Sequence, residues 1–144
     1  MRLALLYYIL LFASASCSAN PNESSRIIKS WENINASIMN EIIQKAYKKD
    51  LKWAVKPELY IFHLFELSEL KTISYKYSAD TIEEPKNINI NLVRDGFLDD
   101  SVRGDIHHLK LKKHKNGTWK VISIKKATSC WRKKELIYSS EACP

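Results

Sequence analysis

The chain is 144 residues long with a formal net charge of +7; 45% of its residues are hydrophobic and 27% are charged. That balance excludes an intrinsically disordered polar chain, and the length leaves room for one hydrophobic core but not two. No internal repeat or low-complexity tract interrupts it.

Residues 1–16 have the form of a secretory signal. Met1-Arg2 supplies one positive charge, Leu3 to Ala13 is an apolar run too short to cross a bilayer as a helix, and Ser14-Ala15-Ser16 places small residues before Cys17. Two processing routes fit: cleavage after Ala15 or Ala19, or acylation of Cys17 as in a bacterial lipoprotein. Ser14 stands three residues before Cys17, where lipoproteins prefer leucine. Cysteine parity favours acylation, because a lipidated or removed Cys17 leaves Cys130 and Cys143 to pair. That bridge suits an oxidising compartment, and its short loop should contribute about 3 kcal/mol in the chain-entropy model. Residues 17–25 read as a linker, or as the lipid tether if Cys17 is acylated, and residues 26–144 as a single domain. The expected location is outside the cytoplasm: the periplasm, the outer membrane as a lipoprotein, or the medium. Membrane contact is expected only through the lipid anchor.

From Ser25 to about Lys52, apolar residues fall at Ile27, Trp31, Ile34, Ile38, Ile42 and Ala46, in steps of three or four. The spacing predicts a long amphipathic helix with one buried face, capped by Ser24 or Ser25. Asn33, Asn35 and Asn40 lower its propensity, so a break near Asn35 is compatible with the pattern. Glu58 to Leu70 fits either a buried strand, by Leu59-Tyr60-Ile61-Phe62, or a short helix opened by Pro57; a short helix followed by a strand from Thr72 is the preferred reading.

Ile73, Tyr75 and Tyr77 alternate with Ser74 and Lys76, and Ile88, Ile90 and Leu92 alternate with Asn87, Asn89 and Asn91. Both are period-two patterns of half-buried strands, joined by an exposed connection over residues 78–86. Two more strands flank Asn116-Gly117. A two-residue type I′ turn there pairs Lys113 with Lys120, Leu111 with Ile122 and Leu109 with Ile124 on one face. The other face then pairs His114 with Trp119, Lys112 with Val121, Lys110 with Ser123 and His108 with Lys125. The hairpin is expected to have one core side and one basic side, and a one-residue slip would exchange them.

Charge supports that picture, since Arg103 to Lys134 holds eleven Lys or Arg against one acid, Asp105. A basic face of His108, Lys110, Lys112, His114, Trp119 and Lys125 is the candidate binding surface. It would suit anionic lipid, a polyanionic envelope glycan or an acidic protein, and nucleic acid is the least available of such partners to an exported protein. The competing reading is a solvated face, with Trp119 and Trp131 roofing the core.

Enzyme readings are weak. Asp99 and Asp100 beside Arg103 lack a specified second member of a catalytic pair, and in a loop they more often cap a turn. Cys130 with His107 or His108 as base competes with the disulfide reading. His107, His108 and His114 lack zinc spacing, and adjacent histidines in a strand point to opposite faces. There is no Gly-rich phosphate loop, H-E-x-x-H or G-x-S-x-G. No catalytic residue, metal or cofactor is assigned.

Leu98-Asp99-Asp100-Ser101-Val102-Arg103-Gly104, the arm Gly117-Thr118-Trp119-Lys120-Val121, Cys130 and Cys143 together resemble uncharacterised small secreted bacterial proteins with a D-D-S-V-R motif and a C-terminal cysteine pair. The resemblance covers the last third of the chain. Those proteins often carry Pro-Gly-Arg-Gly after the first cysteine, where this chain has Trp131-Arg132-Lys133-Lys134. The helix-then-sheet order is similar to the cystatin-like and NTF2-like groups by fold analogy. The expected architecture is therefore α+β: a long N-terminal helix, and a second short one, packed on a four-stranded mostly antiparallel sheet. The expected function is that of a non-catalytic envelope (lipo)protein binding an anionic partner. The alternatives are a small NTF2-like enzyme with a helix-sheet pocket, or an inhibitor or immunity-type protein.

Overall fold

The computed structural model describes residues 26–133 and 135–144. The signal, acylation and linker assignments on residues 1–25 lie outside these residues.

The long N-terminal helix is not found. Its first third forms two short strands, β1 (Ile27–Ile28) and β2 (Glu32–Ile34), and the helix α1 runs only over Ser37–Lys48. The steps of three and four across Ile27, Trp31 and Ile34 have another cause, because these side chains serve three separate contacts. Ile27 pairs with Ile137, Trp31 packs against a cluster on the far side of the sheet, and Ile34 lies opposite Ile124. Helix propensity is weak at Asn33 and Asn35, so strand partners override it there. The helical path begins at Ala36, whose carbonyl accepts the Asn40 N–H at 3.0 Å, and Asn35 just before it turns the chain, its side-chain oxygen accepting the Ser37 N–H at 2.9 Å.

After α1 come two 3-10 turns, Lys52–Val55 and Pro57–Leu59, and a second short helix α2 (Tyr60–Leu64), as preferred from the sequence. Tyr60 fixes this segment. It is fully buried, its hydroxyl donates to Ala54 O at 2.7 Å and accepts the Trp119 N–H at 3.2 Å. Burial pushes its phenol up to about 12.

The remaining strands are β3 (Thr72–Ala79), β4 (Asn87–Asp95), β5 (Val102–Lys113), β6 (Trp119–Cys130) and β7 (Ile137–Tyr138). The main sheet has five strands, not four, in the order β2-β6-β5-β4-β3, with every neighbour antiparallel. The fifth strand is β2, taken from the stretch expected to be helical. β1 and β7 form a separate parallel pair. The architecture is thus α+β, with two short helices on a mostly antiparallel sheet.

Both faces of the sheet are covered in part. On the inner face, Ile43, Tyr60 and Ile61 from the helices pack on Ile88, Ile90, Leu92, Leu109, Leu111, Trp119, Val121 and Ile124. On the outer face, near one end, Ile106, Ala127 and Tyr138 form a smaller cluster with Trp31, Val93 and Leu136. A disulfide joins Cys130 to Cys143, with Cα atoms 5.5 Å apart, and fastens the tail that builds this second cluster.

The β5–β6 hairpin follows the expected register in its inner half, where Lys110 faces Ser123, Leu109 faces Ile124 and His108 faces Lys125. Its outer half is shifted by one. The loop has three residues, not two: Gly117 N donates to His114 O, His114 N to Thr118 O, and Gly117 takes φ +84°. This is a type I turn closed by a left-handed residue, for which glycine carries no Cβ penalty. Lys113 therefore faces Trp119, Lys112 faces Lys120 and Leu111 faces Val121. A bulge at Ile122 absorbs the extra residue and restores the inner register. The turn and the bulge offset each other, so Val121 and Ile124, three residues apart, both reach the core, and Ile122 is 53% exposed.

Candidate functional site

The outer face of the sheet away from the β1–β7 pair carries a polar surface whose members come from four strands. Cross-strand rows follow from the register. Lys76, Asn91, His108 and Lys125 form one row; Ser78, Asn89, Lys110 and Ser123 the next; Asn87, Lys112 and Lys120 the third. Alternation along each strand places them together while the intervening residues enter the core. Lys76, Lys110, Lys112 and Lys120 are exposed, and Lys125 and His108 are half-buried.

The register shift changes the membership expected of this face. Trp119 leaves it: the indole is 3% exposed and belongs to the core. His114 sits in the turn, its Nδ1 3.2 Å from Asn116 Oδ1. Lys120 joins instead, directly opposite Lys112, and Lys76 extends the surface across β3. His108, Lys110, Lys112 and Lys125 stand where the alternation placed them.

Among the described residues, none of these five lysines has a carboxylate within 4.0 Å. His108 hydrogen-bonds Asn91 through Nδ1. Its imidazolium is disfavoured first by partial burial and then by Lys110 and Lys125, so its pKa lies below the ordinary histidine value. The face thus offers ammonium donors and carboxamides; at the end of its third row Asp80 is taken up by Asn87, accepting from Asn87 Nδ2 at 2.8 Å and from the Lys86 and Asn87 N–H groups, rather than by a lysine of this face.

A second cluster lies at the end of the inner face. Arg94 grips Asp105 through two bonds, Nε to Oδ1 at 2.9 Å and Nη2 to Oδ2 at 2.7 Å, and its Nη1 donates to Glu66 O at 2.7 Å. The guanidinium lies 5.6 Å from the Phe65 ring and 5.1 Å from the Phe97 ring. His107 is 7% exposed, stacks edge-on against Phe65, and sets Nδ1 3.6 Å from Asp105 Oδ1 without a hydrogen bond. Burial pulls its pKa down to about 4, assisted by Arg94 and Lys126 and opposed by Asp105. The imidazole is therefore neutral at physiological pH. Arg94, Asp105 and Lys126 line an open cavity of about 350 Å³ with Glu66, Phe97 and Asp99.

Sequence reading passed over Arg94 and Asp105, and treated His107 only as a rejected metal ligand or base. A signal was present. Arg94 has the strand parity of Ile88, Ile90 and Leu92, and Asp105 and His107 have that of Leu109 and Leu111, so charged residues of opposite sign fall on the core face of adjacent strands.

The Asp-Asp loop is a turn former. Asp99 Oδ1 accepts the N–H groups of Ser101 and Val102 at 2.7 and 2.6 Å, and these bonds hold its pKa below the usual value. Arg103 pairs with Asp95 at 3.2 Å and lies over the Trp131 ring. Gly104 is required by close packing, since a Cβ there would stand 2.4 Å from Arg94 O. Among the described residues, no group of three or more His, Cys, Asp or Glu is placed to hold a metal. No family model, curated protein or solved structure matches the chain.

Proposed function

We propose that this is a non-catalytic exported protein that binds an anionic partner through the outer face of its sheet. The observation that carries the reading is the Lys112–Lys120 pair. Like charges directly opposite on neighbouring strands destabilise a sheet, and here Lys110 and Lys125 lie nearby on the same surface, with no carboxylate within 4.0 Å of any of the four lysines among the described residues. A partner with anionic groups relieves that repulsion on binding. The carboxamides of Asn87, Asn89 and Asn91, the first bonded to Asp80 and the last to His108, leave further hydrogen-bonding capacity that suits a hydrated partner, such as anionic headgroups, an acidic glycan or an acidic protein surface.

Export is part of the same proposal. It rests on the signal-like residues 1–16 and accords with a disulfide, which persists in oxidising compartments. Acylation at Cys17 would hold the basic face near a membrane. The likeness to D-D-S-V-R proteins and to the cystatin-like or NTF2-like groups belongs to this reading too.

The test is sedimentation of the protein with anionic and with zwitterionic vesicles, an acidic polysaccharide and an acidic protein. Binding to one of the anionic probes should weaken at least tenfold when Lys110, Lys112 and Lys125 are changed to glutamate. Binding that ignores this charge reversal overturns the proposal.

A second reading, a small enzyme, has one observation in its favour: the buried Asp105–His107 pair beside a cavity. Yet no hydrogen bond joins the two: His107 Nδ1 stands 3.6 Å from Asp105 Oδ1 and is without a partner among the described residues, while both carboxylate oxygens are engaged by Arg94, so Asp105 does not orient the imidazole. The sheet-face reading is therefore preferred. Capture of a specific secreted partner from the same cell would instead support the inhibitor or immunity-type alternative.

A further inference from the structure

The two edges of the five-stranded sheet differ. β2 is three residues long, which limits what it can pair with. β3 is eight residues long, exposed at every position, paired to β4 without a bulge, and free of proline. It carries apolar side chains in the open, with Ile73 at 42%, Tyr75 at 47% and Tyr77 at 38% exposure, and Phe62 sits edge-on to Tyr75 with ring centroids 6.0 Å apart. Edge strands of this kind are commonly shielded by charges, proline or a covering segment, and here Lys76 is the sole charged residue in the strand.

The alternation of backbone bonds fixes which groups face outward. Asp80 N donates to Asn87 O, so the even-numbered residues of β3 turn their N–H and C=O groups to β4. Ile73, Tyr75 and Tyr77 turn theirs to the open edge.

We infer that β3 pairs with β3 of a second copy of this chain, antiparallel about a two-fold axis at Tyr75, to form one continuous sheet across two protomers. The occupant is identified by self-complementarity. With Tyr75 opposite Tyr75 of the second copy, Ile73 lies opposite Tyr77, and each of these pairs involves only outward-facing backbone groups. On the inner face the pairs are aromatic with aromatic and aromatic with β-branched, which favour sheet pairing. On the outer face Lys76 lies opposite Ser74. The competing register, centred on Lys76, uses the same outward backbone groups but sets two lysines face to face, which is unfavourable. Charge therefore selects the Tyr75-centred register, and Phe62 of each protomer adds a ring beside the axis. The pairing is independent of the anionic-partner proposal, since it is read from oligomeric state alone; if both hold, the basic surfaces of two protomers lie on the same side of one sheet.

The experiment is sedimentation equilibrium and disulfide trapping on the full chain. The parent protein should show a concentration-dependent dimer. Tyr75→Cys should cross-link to a dimer under mild oxidation well above the background that the parent's own cysteines give, and Tyr77→Cys, which faces Ile73, should cross-link at least fivefold less. Tyr75→Pro removes an N–H that the monomer does not use, and should give a folded monomer by circular dichroism and sedimentation. Tyr75→Lys leaves the backbone intact, sets like charges across the axis, and should also be monomeric, so a folding defect in the proline variant does not remove the test. A parent chain that stays monomeric at every concentration overturns the inference. So does a dimer that survives Tyr75→Lys, or equal cross-linking at positions 75 and 77.

Discussion

The side chain of Asn40 acts as a strand for Val121: its Nδ2 donates to Val121 O and its Oδ1 accepts the Val121 N–H, both at 2.9 Å. β2 covers β6 only as far as Ile34 opposite Ile124, so the backbone of Val121 lies beyond the end of its neighbour. A helix residue with low intrinsic propensity completes the ladder at that point. Asn40→Ala should cost about 1–3 kcal/mol, because it leaves two part-buried backbone groups unpaired. Asn40→Asp retains the acceptor and loses the donor, and urea unfolding should place it between the two.

Arg94 and Asp105 form a bidentate pair with 12% and 4% of their side-chain surface exposed. Removing the cation alone strands a buried carboxylate. Arg94→Met should therefore destabilise by about 3–5 kcal/mol, and adding Asp105→Leu to it should recover much of the loss. Equilibrium denaturation of the two single variants and the double variant checks this; a double variant no more stable than Arg94→Met would contradict it.

His107 makes stability depend on pH in a defined window. Its pKa is about 4 when folded, against 6.5 for the free side chain, so the unfolded chain binds more protons between these values. Stability is fully present above about pH 6.5 and falls as pH drops towards 4. The loss from this residue should amount to about 3 kcal/mol at most. His107→Gln should flatten the dependence in that window, as read from urea midpoints at pH 7, 6, 5 and 4. An imidazole proton resonance of His107 that titrates near pH 6.5 in the folded protein would refute the assignment.

The Cys130–Cys143 bridge closes the segment that carries β7 and the Thr128–Ser139 bridge. Replacing both cysteines with serine should cost about 3 kcal/mol by loss of loop constraint. Hydrogen exchange should locate the loosening at Tyr138 and Ser139, whose backbone groups bond Lys29 and Thr128, while the centre of β4 and β5 keeps its protection. Uniform acceleration across the sheet would show instead that the tail holds the whole fold.

Some of this architecture follows from local chemistry alone. Alternation in residues 87–92 and 109–113, the cysteine spacing and the helix-forming stretch around Ile43 depend on near neighbours, and all are legible in the chain. The inner register of the β5–β6 hairpin is legible too, since Leu109 and Ile124 have to share a face whichever turn joins them. What tertiary structure decided are the choices between alternatives of similar local energy. Ile27 to Ile34 has helical spacing, yet its side chains go to β7, the outer cluster and β6. The β3 alternation predicts a half-buried strand, but β3 lies at the sheet edge, where Phe62 of α2 reaches Tyr75 without covering the row, so Ile73, Tyr75 and Tyr77 remain open. A three-residue turn in place of a two-residue one moved Trp119 into the core and Lys120 onto the basic face, and the bulge at Ile122 hid the shift from the rest of the hairpin. Asn-Gly is compatible with both turns; the deciding factor is the packing of Trp119 and Val121 beneath Tyr60 and Asn40, residues separated from them by about half the chain.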